Sequence, residues 1–164
     1  MKTLYLVRHA KSSWKDPALD DMDRPLNKRG KRDAPLMGKV LREQGIKPDV
    51  LFSSPAARAL ATARKMAKEI GVAKEDIVIA EAVYGASEED LLGVIRAIDD
   101  AAASAMLFGH NPEFTGLANE LSPEPIDNMP TCSVFCVTFA AESWRDASPE
   151  NAQFEFLDYP KRHA

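Results

Sequence analysis

The sequence predicts an α/β fold, a three-layer sandwich with a mostly parallel central sheet and helices on both faces. Three observations carry this. Short apolar runs at 4–7, 50–52, 77–80 and 105–108 alternate with longer stretches of helical periodicity. The runs are unbroken by polar residues, as in strands buried on both sides of a sheet. The second and fourth are followed by the same punctuation, a capping residue and then a proline: Ser54-Pro55 and Asn111-Pro112. At 164 residues the chain reads as one domain, 1–164, long enough to bury a sizeable core.

The first run, Leu4-Tyr5-Leu6-Val7, ends in Arg8-His9-Ala10. Residues 11–27 are polar, with Pro17 and Pro25 and many acids, and read as a long loop; loops of this length in compact domains are often functional. Residues 28–44 read as a helix with Ala34, Met37, Val40 and Leu41 on one face and Gly45 as its stop. Pro35 must sit in its first turn or kink it. After the second run, Ser54 as N-cap and Pro55 at the first helical position open a helix that turns Leu60, Ala63, Met66, Ala67 and Ile70 inward and ends at Gly71. Ser87 and Asp90 form a capping-box pattern before Leu91, Ile95 and Ile98. A short helix follows Pro112 to about residue 121. Residues 129–139 and 154–158 read as the last two strands.

The charge balance narrows the partners. A net charge of −4 speaks against a nucleic-acid partner, though not against a local basic pocket. No apolar stretch is long enough to cross a bilayer, and the run after Lys2 is too short for a signal peptide, so a cytoplasmic protein is expected. Cys132 and Cys136, four apart on an expected strand, would face one side roughly 13 Å apart, too far for a disulfide. They are expected to be buried and reduced. Nothing in the sequence demands a second copy of the chain.

Four residues share one address. In a parallel sheet all strand carboxyl ends open on one edge, where open α/β sheets bind ligands. Arg8 and His9 end the first strand, Arg58 lies in the first turn after the second, and His110 ends the fourth. The helix N-termini after Ser54 and Asn111 add N–H groups and positive dipole ends. Two arginines, two histidines and two helix N-termini suit a dianion, and phosphate above all, because guanidinium groups bind its oxygens bidentately. A neutral imidazole is a competent nucleophile toward phosphorus. Its other nitrogen should donate to a backbone carbonyl, which fixes the tautomer. The second histidine, if protonated, would stabilise charge on the equatorial oxygens. With four cationic groups in place no metal or other cofactor is expected.

These segments resemble the histidine phosphatase, or phosphoglycerate-mutase-like, superfamily. Leu-Val-Arg8-His9-Ala10 is similar to its "RHG/RHA" signature. Ser53-Ser54-Pro55-Ala-Ala-Arg58-Ala-Leu-Ala-Thr62 is similar to its serine-proline-x-x-arginine-x-x-x-threonine motif. Gly109-His110-Asn111-Pro112 resembles the distal histidine motif, and Arg24-Pro25-Leu26-Asn27-Lys28-Arg29-Gly30 the "RPL-x-x-x-G" segment. The short chain and the "GHNP" form look most like the SixA-type phosphohistidine phosphatases. The resemblance implies a phosphoglycerate-mutase-like fold, His9 as the phosphorylated nucleophile, and Arg8, Arg58 and His110 as the phosphate pocket. Arg24 and Asn111 are further candidate phosphate contacts, Arg24 standing equally well as a loop salt bridge to Asp21 or Asp23.

One departure matters. Larger members carry a glutamate that protonates the leaving group, in an insertion before the distal histidine. Here that region is short, and Glu81, Glu88 and Glu89 match no motif; Glu81 or the acidic loop 20–23 is the candidate donor. An alkoxide leaving group needs a general acid, whereas imidazole leaves readily without one. The expected activity is therefore a metal-independent phosphatase acting on phosphohistidine in a partner protein. The alternatives are a small-molecule phosphomonoesterase, a mutase, and a phosphate-binding module without turnover. A metal hydrolase using His9 and His110 is disfavoured by the adjacent arginines.

Overall fold

The computed structural model describes residues 1–163. Its centre is a six-stranded sheet built from β1 (Lys2–Arg8), β2 (Val50–Ser53), β3 (Ile77–Ile79), β4 (Ser104–Gly109), β5 (Val134–Phe139) and β6 (Ala152–Asp158), in the order β3-β2-β4-β1-β5-β6. The first four in that order run parallel, and β5 and β6 are antiparallel. Helices α1 (Lys28–Glu43), α2 (Ala57–Ile70), α3 (Glu88–Arg96) and α4 (Glu113–Glu120) complete the layers.

The strand β1 explains the sandwich. Its side chains alternate between two cores, Leu4 and Leu6 toward one, Tyr5 and Val7 toward the other. Leu4 and Leu6 meet the apolar faces of α3 and α4, with Leu91, Ile95, Phe114 and Leu117. Val7 meets α1 and α2, with Met37, Leu41, Ala63 and Met66. Leu6 is fully buried, and truncation to alanine would cost about 2–5 kcal/mol. By contrast β3 is an edge strand, and Val78 and Ile79 are exposed.

Most boundaries follow local chemistry. Asn27 caps α1 by accepting from the Gly30 N–H, and Gly45 follows the helix at φ +72°. Ser87 and Asp90 form the expected reciprocal box at α3. Pro35 lies inside α1 rather than in its first turn, and the helix continues through it. Leu60, expected inward on α2, is half-buried, while Arg58 and Thr62 take buried positions on the same helix. The start of α1 breaks a rule. Four of its first five residues are cations (Lys28, Arg29, Lys31 and Arg32), and none is acidic. Each cation there opposes the helix dipole by about 0.3–1 kcal/mol.

Three expectations need correction. The two serine-proline-type caps do not start their helices where expected. The helix α2 begins at Ala57 and α4 at Glu113, with Ala56 and Pro112 at the N-cap positions. Ser54 instead accepts from the Ala56 N–H through its hydroxyl, and Asn111 accepts from Thr115 through its side-chain oxygen. The strand expected over 129–139 begins only at Val134. Residues 129–133 wrap the end of β1, with the Cys132 N–H donating to the carbonyls of Arg8 and His9, and Cys132 at φ +62°. Cys132 therefore lies outside the strand that holds Cys136; both are free and buried, and burial raises both thiols, that of Cys136 to about 12.

Candidate active site

The carboxyl ends of β1, β2 and β4 lie side by side, with Arg8 opposite Gly109 in the β1–β4 register. This brings Arg8, His9, Arg58 and His110 into the wall of one cavity of about 290 Å³. Arg24 and Asn111 also line it, together with Lys11, Ser12, Trp14, Asp21 and Thr131.

His9 is held from several sides. Its N–H donates to the Gly109 carbonyl at 3.0 Å, and the next residue, Ala10, donates to Thr62 Oγ1 at 2.9 Å. Thr62 Oγ1 in turn donates to the Arg58 carbonyl at 2.7 Å. One hydroxyl thus joins the loop that carries His9 to the helix that carries Arg58. Gly30 packs beneath the same loop, where a Cβ would come within 2.2 Å of the Lys11 carbonyl oxygen. The threonine and glycine of the sequence motifs are therefore positioning residues.

The imidazole geometry fixes one tautomer. His9 Nδ1 lies 2.7 Å from the Ala10 carbonyl oxygen. A carbonyl only accepts, so Nδ1 carries the proton and Nε2 keeps its lone pair. Burial lowers the His9 pKa to about 4; the Ala10 carbonyl acts the other way, and Arg58, Arg8 and Arg24 lower it further. His9 is therefore neutral and nucleophilic at pH 7.

His110 packs against it, with ring centroids 5.2 Å apart. Its Nε2 lies 2.8 Å from Ser54 Oγ. Burial first, then His9 and Arg58, lower its pKa to about 3. The expected cationic His110 is thus neutral in the free site. An arriving dianion reverses that balance, because an opposite charge at close range favours the protonated ring.

Some nitrogens of the cavity residues have no protein partner. Arg8 Nε, Arg58 Nε and His110 Nδ1 are buried and unpaired. Buried polar nitrogens are normally satisfied, so three at one site mark it as built for an acceptor-rich ligand. Arg8 is anchored through Nη1 to the Met129 carbonyl at 2.9 Å, which explains why residues 129–133 form a clamp rather than a strand.

The rim holds Asp21, a member of the acidic loop and one of the two expected ion-pair partners of Arg24, and Tyr84, which sequence reasoning missed. Asp21 sits in a 3-10 turn over Asp21–Asp23. Its carboxylate accepts from Arg24 Nη1 at 2.9 Å, Arg58 Nη2 at 2.9 Å and the Tyr84 hydroxyl at 2.7 Å. The Tyr84 hydrogen bond, with those from Arg24 and Arg58, holds this carboxyl far below the usual carboxylate range. Arg24 is both a cavity residue and an ion-pair partner, and it also donates to Ser12 and stacks 3.2 Å over the Trp14 ring. A three-residue spacing from Asp21 to Arg24 was the available signal; Tyr84 carried none.

Two candidates stand differently. Asn111 lines the cavity, but its side chain is committed to Asn128, Met129 and Thr115. Glu81 is exposed in a 3-10 turn, Glu81–Val83, and does not line the cavity. Among the described residues, no cluster of three or more His, Cys, Asp or Glu side chains is arranged to hold a metal ion. No helix among them is long and apolar enough to cross a membrane.

Comparison with known proteins agrees with this geometry. An uncharacterised chloroplastic protein of Arabidopsis thaliana is 31% identical over 154 residues, covering 89% of this chain and 70% of its own length. An uncharacterised protein of Mycobacterium tuberculosis is 30% identical over 164 residues, covering 94% of this chain and all of its own. The 2,3-bisphosphoglycerate-dependent phosphoglycerate mutase of Bartonella tribocorum is 30% identical over 95 residues, 57% of this chain and 46% of the mutase. Among solved structures, a candidate SixA phosphohistidine phosphatase of Agrobacterium tumefaciens superposes with a TM-score of 0.81 at 26% identity, covering 97% of this chain and 98% of that one. The protein histidine phosphatase SixA complexed with tungstate superposes at 0.84 with 21% identity, covering 99% of each chain, and supports the phosphoglycerate-mutase-like fold. The model of the histidine phosphatase superfamily, branch 1, matches residues 4–110, the span from β1 to the distal histidine, and the chain belongs to that superfamily.

Proposed function

We propose that this protein is a metal-independent phosphatase that removes phosphate from phosphohistidine in a partner protein, through a phosphohistidine intermediate on His9. His9 Nε2 attacks phosphorus in line with the leaving nitrogen. The new N–P bond forms as the old one breaks, and the bonding pair leaves with the substrate imidazole. Arg8, Arg58 and His110 hold the equatorial oxygens, using the unpaired nitrogens at the cavity wall. Water then attacks phospho-His9, returning neutral His9 and orthophosphate.

The observation that carries the choice of substrate is the state of Asp21. It is the only carboxylate lining the cavity among the described residues, and two guanidinium groups and a phenol hold it ionised. An ionised carboxylate cannot donate a proton to an alkoxide. A phosphohistidine whose other ring nitrogen carries a proton leaves as neutral imidazole and needs no such donor, so N–P substrates suit this cavity better than alkyl phosphates. The match to phosphoglycerate mutases supports a second reading, a small-molecule phosphomonoesterase. A module that only binds phosphate would not need the Nδ1–carbonyl bond that frees His9 Nε2.

Paired assays on wild type and His9→Ala test this, with chelator present, on a phosphohistidine peptide and on p-nitrophenyl phosphate. Rapid loss of phosphohistidine that vanishes in the variant is the expected result. Turnover of the aryl phosphate alone would favour the second reading, and activity surviving in His9→Ala would overturn both.

A further inference from the structure

Beside the catalytic cavity lies a larger, open groove of about 860 Å³. It shares Lys11, Ser12 and Trp14 with the cavity and takes in Lys15 of the loop after β1 and Lys28 and Lys31 at the start of α1. No carboxylate lines it. Its four lysines make no ion pair among the described residues, while Arg29 is drawn toward the buried Asp33. So concentrated a cationic strip is unexpected on a chain of net charge −4.

Two further observations give the strip a purpose. The cations opening α1 work against the helix dipole, and folding gains nothing from them there. Local rules broken without a structural return are expected at functional sites. Trp14 is the second. It is 74% exposed, yet Arg24 stacks on its ring and fixes it in place. A rigid, exposed tryptophan among cations is the composition of an interface anchor. Arg24 also contacts Asp21 and Ser12, so this anchor is mechanically joined to the catalytic rim.

We propose that this groove is the docking surface for an acidic protein segment flanking the phosphorylated residue, with Trp14 as its aromatic anchor and Lys15, Lys28 and Lys31 as its cationic rail. The proposal rests on the phosphohistidine reading for which residue enters the cavity, but it concerns a separate surface. Charge complementarity of this kind raises the encounter rate and excludes partners of the wrong sign. It makes the substrate a protein surface rather than an isolated phosphohistidine.

The test uses two fluorescent peptides, each with one phosphohistidine, flanked by glutamates in one and by glutamines in the other. The expected kcat/KM at low salt is about tenfold higher for the acidic peptide, the difference lying in KM and fading as salt is added. In the triple variant Lys15→Glu, Lys28→Glu, Lys31→Glu the preference is lost or inverted, while turnover of p-nitrophenyl phosphate is unchanged. Glutamate is favourable in the first turn of α1, so the substitutions do not threaten the fold. Equal KM for the two peptides, or a preference that survives in the triple variant, overturns the groove and leaves the chemistry of His9 standing. If neither peptide is turned over while the aryl phosphate is, the phosphohistidine reading fails. Fluorescence anisotropy of the same peptides then decides the groove, tighter binding of the acidic one supporting it and equal binding overturning it. Stronger binding of a single-stranded oligonucleotide than of the acidic peptide would also overturn it.

Discussion

The floor of the catalytic cavity and its rim are built by different rules. The floor consists of Arg8, His9 and His110 at strand ends, with Arg58 on the first turn of α2, and main-chain bonds fix its loops. The rim consists of Trp14, Asp21, Arg24 and Tyr84, drawn from a long loop and a turn, and its members are joined to one another through side chains, Asp21 accepting from Arg24 and Tyr84 and Arg24 stacking on Trp14. His9 and Arg58 are buried and Arg8 and His110 half-buried, and this burial keeps both histidines neutral. The half-exposed Asp21 stays ionised at the rim, and it holds the terminal nitrogens of Arg58 that a phosphate would also seek. Burial therefore keeps His9 neutral, while at the rim the ion pair with Asp21 occupies Arg58.

Substitutions can break this division, beginning with the floor. His9→Ala should lower turnover of every phosphorylated substrate by roughly 10⁴-fold or more, as loss of a nucleophile does. Arg58→Ala should lower kcat/KM by on the order of 10²–10³ through loss of charge stabilisation, measured with p-nitrophenyl phosphate.

The third prediction concerns pH. The folded-state pKa values, about 4 for His9 and about 3 for His110, lie below the ordinary 6.5. The unfolded chain therefore takes up protons first, and the stability these groups contribute is complete above pH 6.5 and is lost as pH falls toward 4. Thermal melts of His110→Gln should show a shallower fall in Tm across that window than wild type. If the two slopes coincide, His110 is not a buried neutral group.

Smaller effects come from positioning and from the rim. Thr62→Val leaves the Ala10 N–H unsatisfied and should cost about 1–3 kcal/mol, seen as a Tm lower by several degrees, with kcat falling alongside. Glu81→Gln should leave kcat unchanged, whereas loss of a working general acid would cost about 10²-fold or more.

The floor was legible in the sequence because the ends of buried strands are local facts, even though α2 and α4 start later than expected. The run Leu4 to Val7 announces a doubly buried strand, and in a parallel sheet its end must meet the ends of β2 and β4. The misplaced start of β5 has one cause. Residues 129–133 carry apolar residues that read as strand, but Cys132 and Met129 spend their backbone groups on Arg8 and His9 instead of on a ladder. Ser54 was legible as a cap and not as the partner of His110, since that pairing spans 56 positions. The rim was illegible for the same reason. Asp21, Arg58 and Tyr84 meet only in three dimensions, and an acidic loop alone reads as a solvated one.

The central claim is that His9 attacks through Nε2 because Ala10 holds the proton on Nδ1. The direct test is to quench the enzyme during turnover with alkaline denaturant, keep the phosphoenzyme at alkaline pH, and locate the phosphate by mass spectrometry and NMR. Phosphate on the Nε2 of His9 is the predicted result. Phosphate on Nδ1, on His110, or on no residue at all would contradict the mechanism.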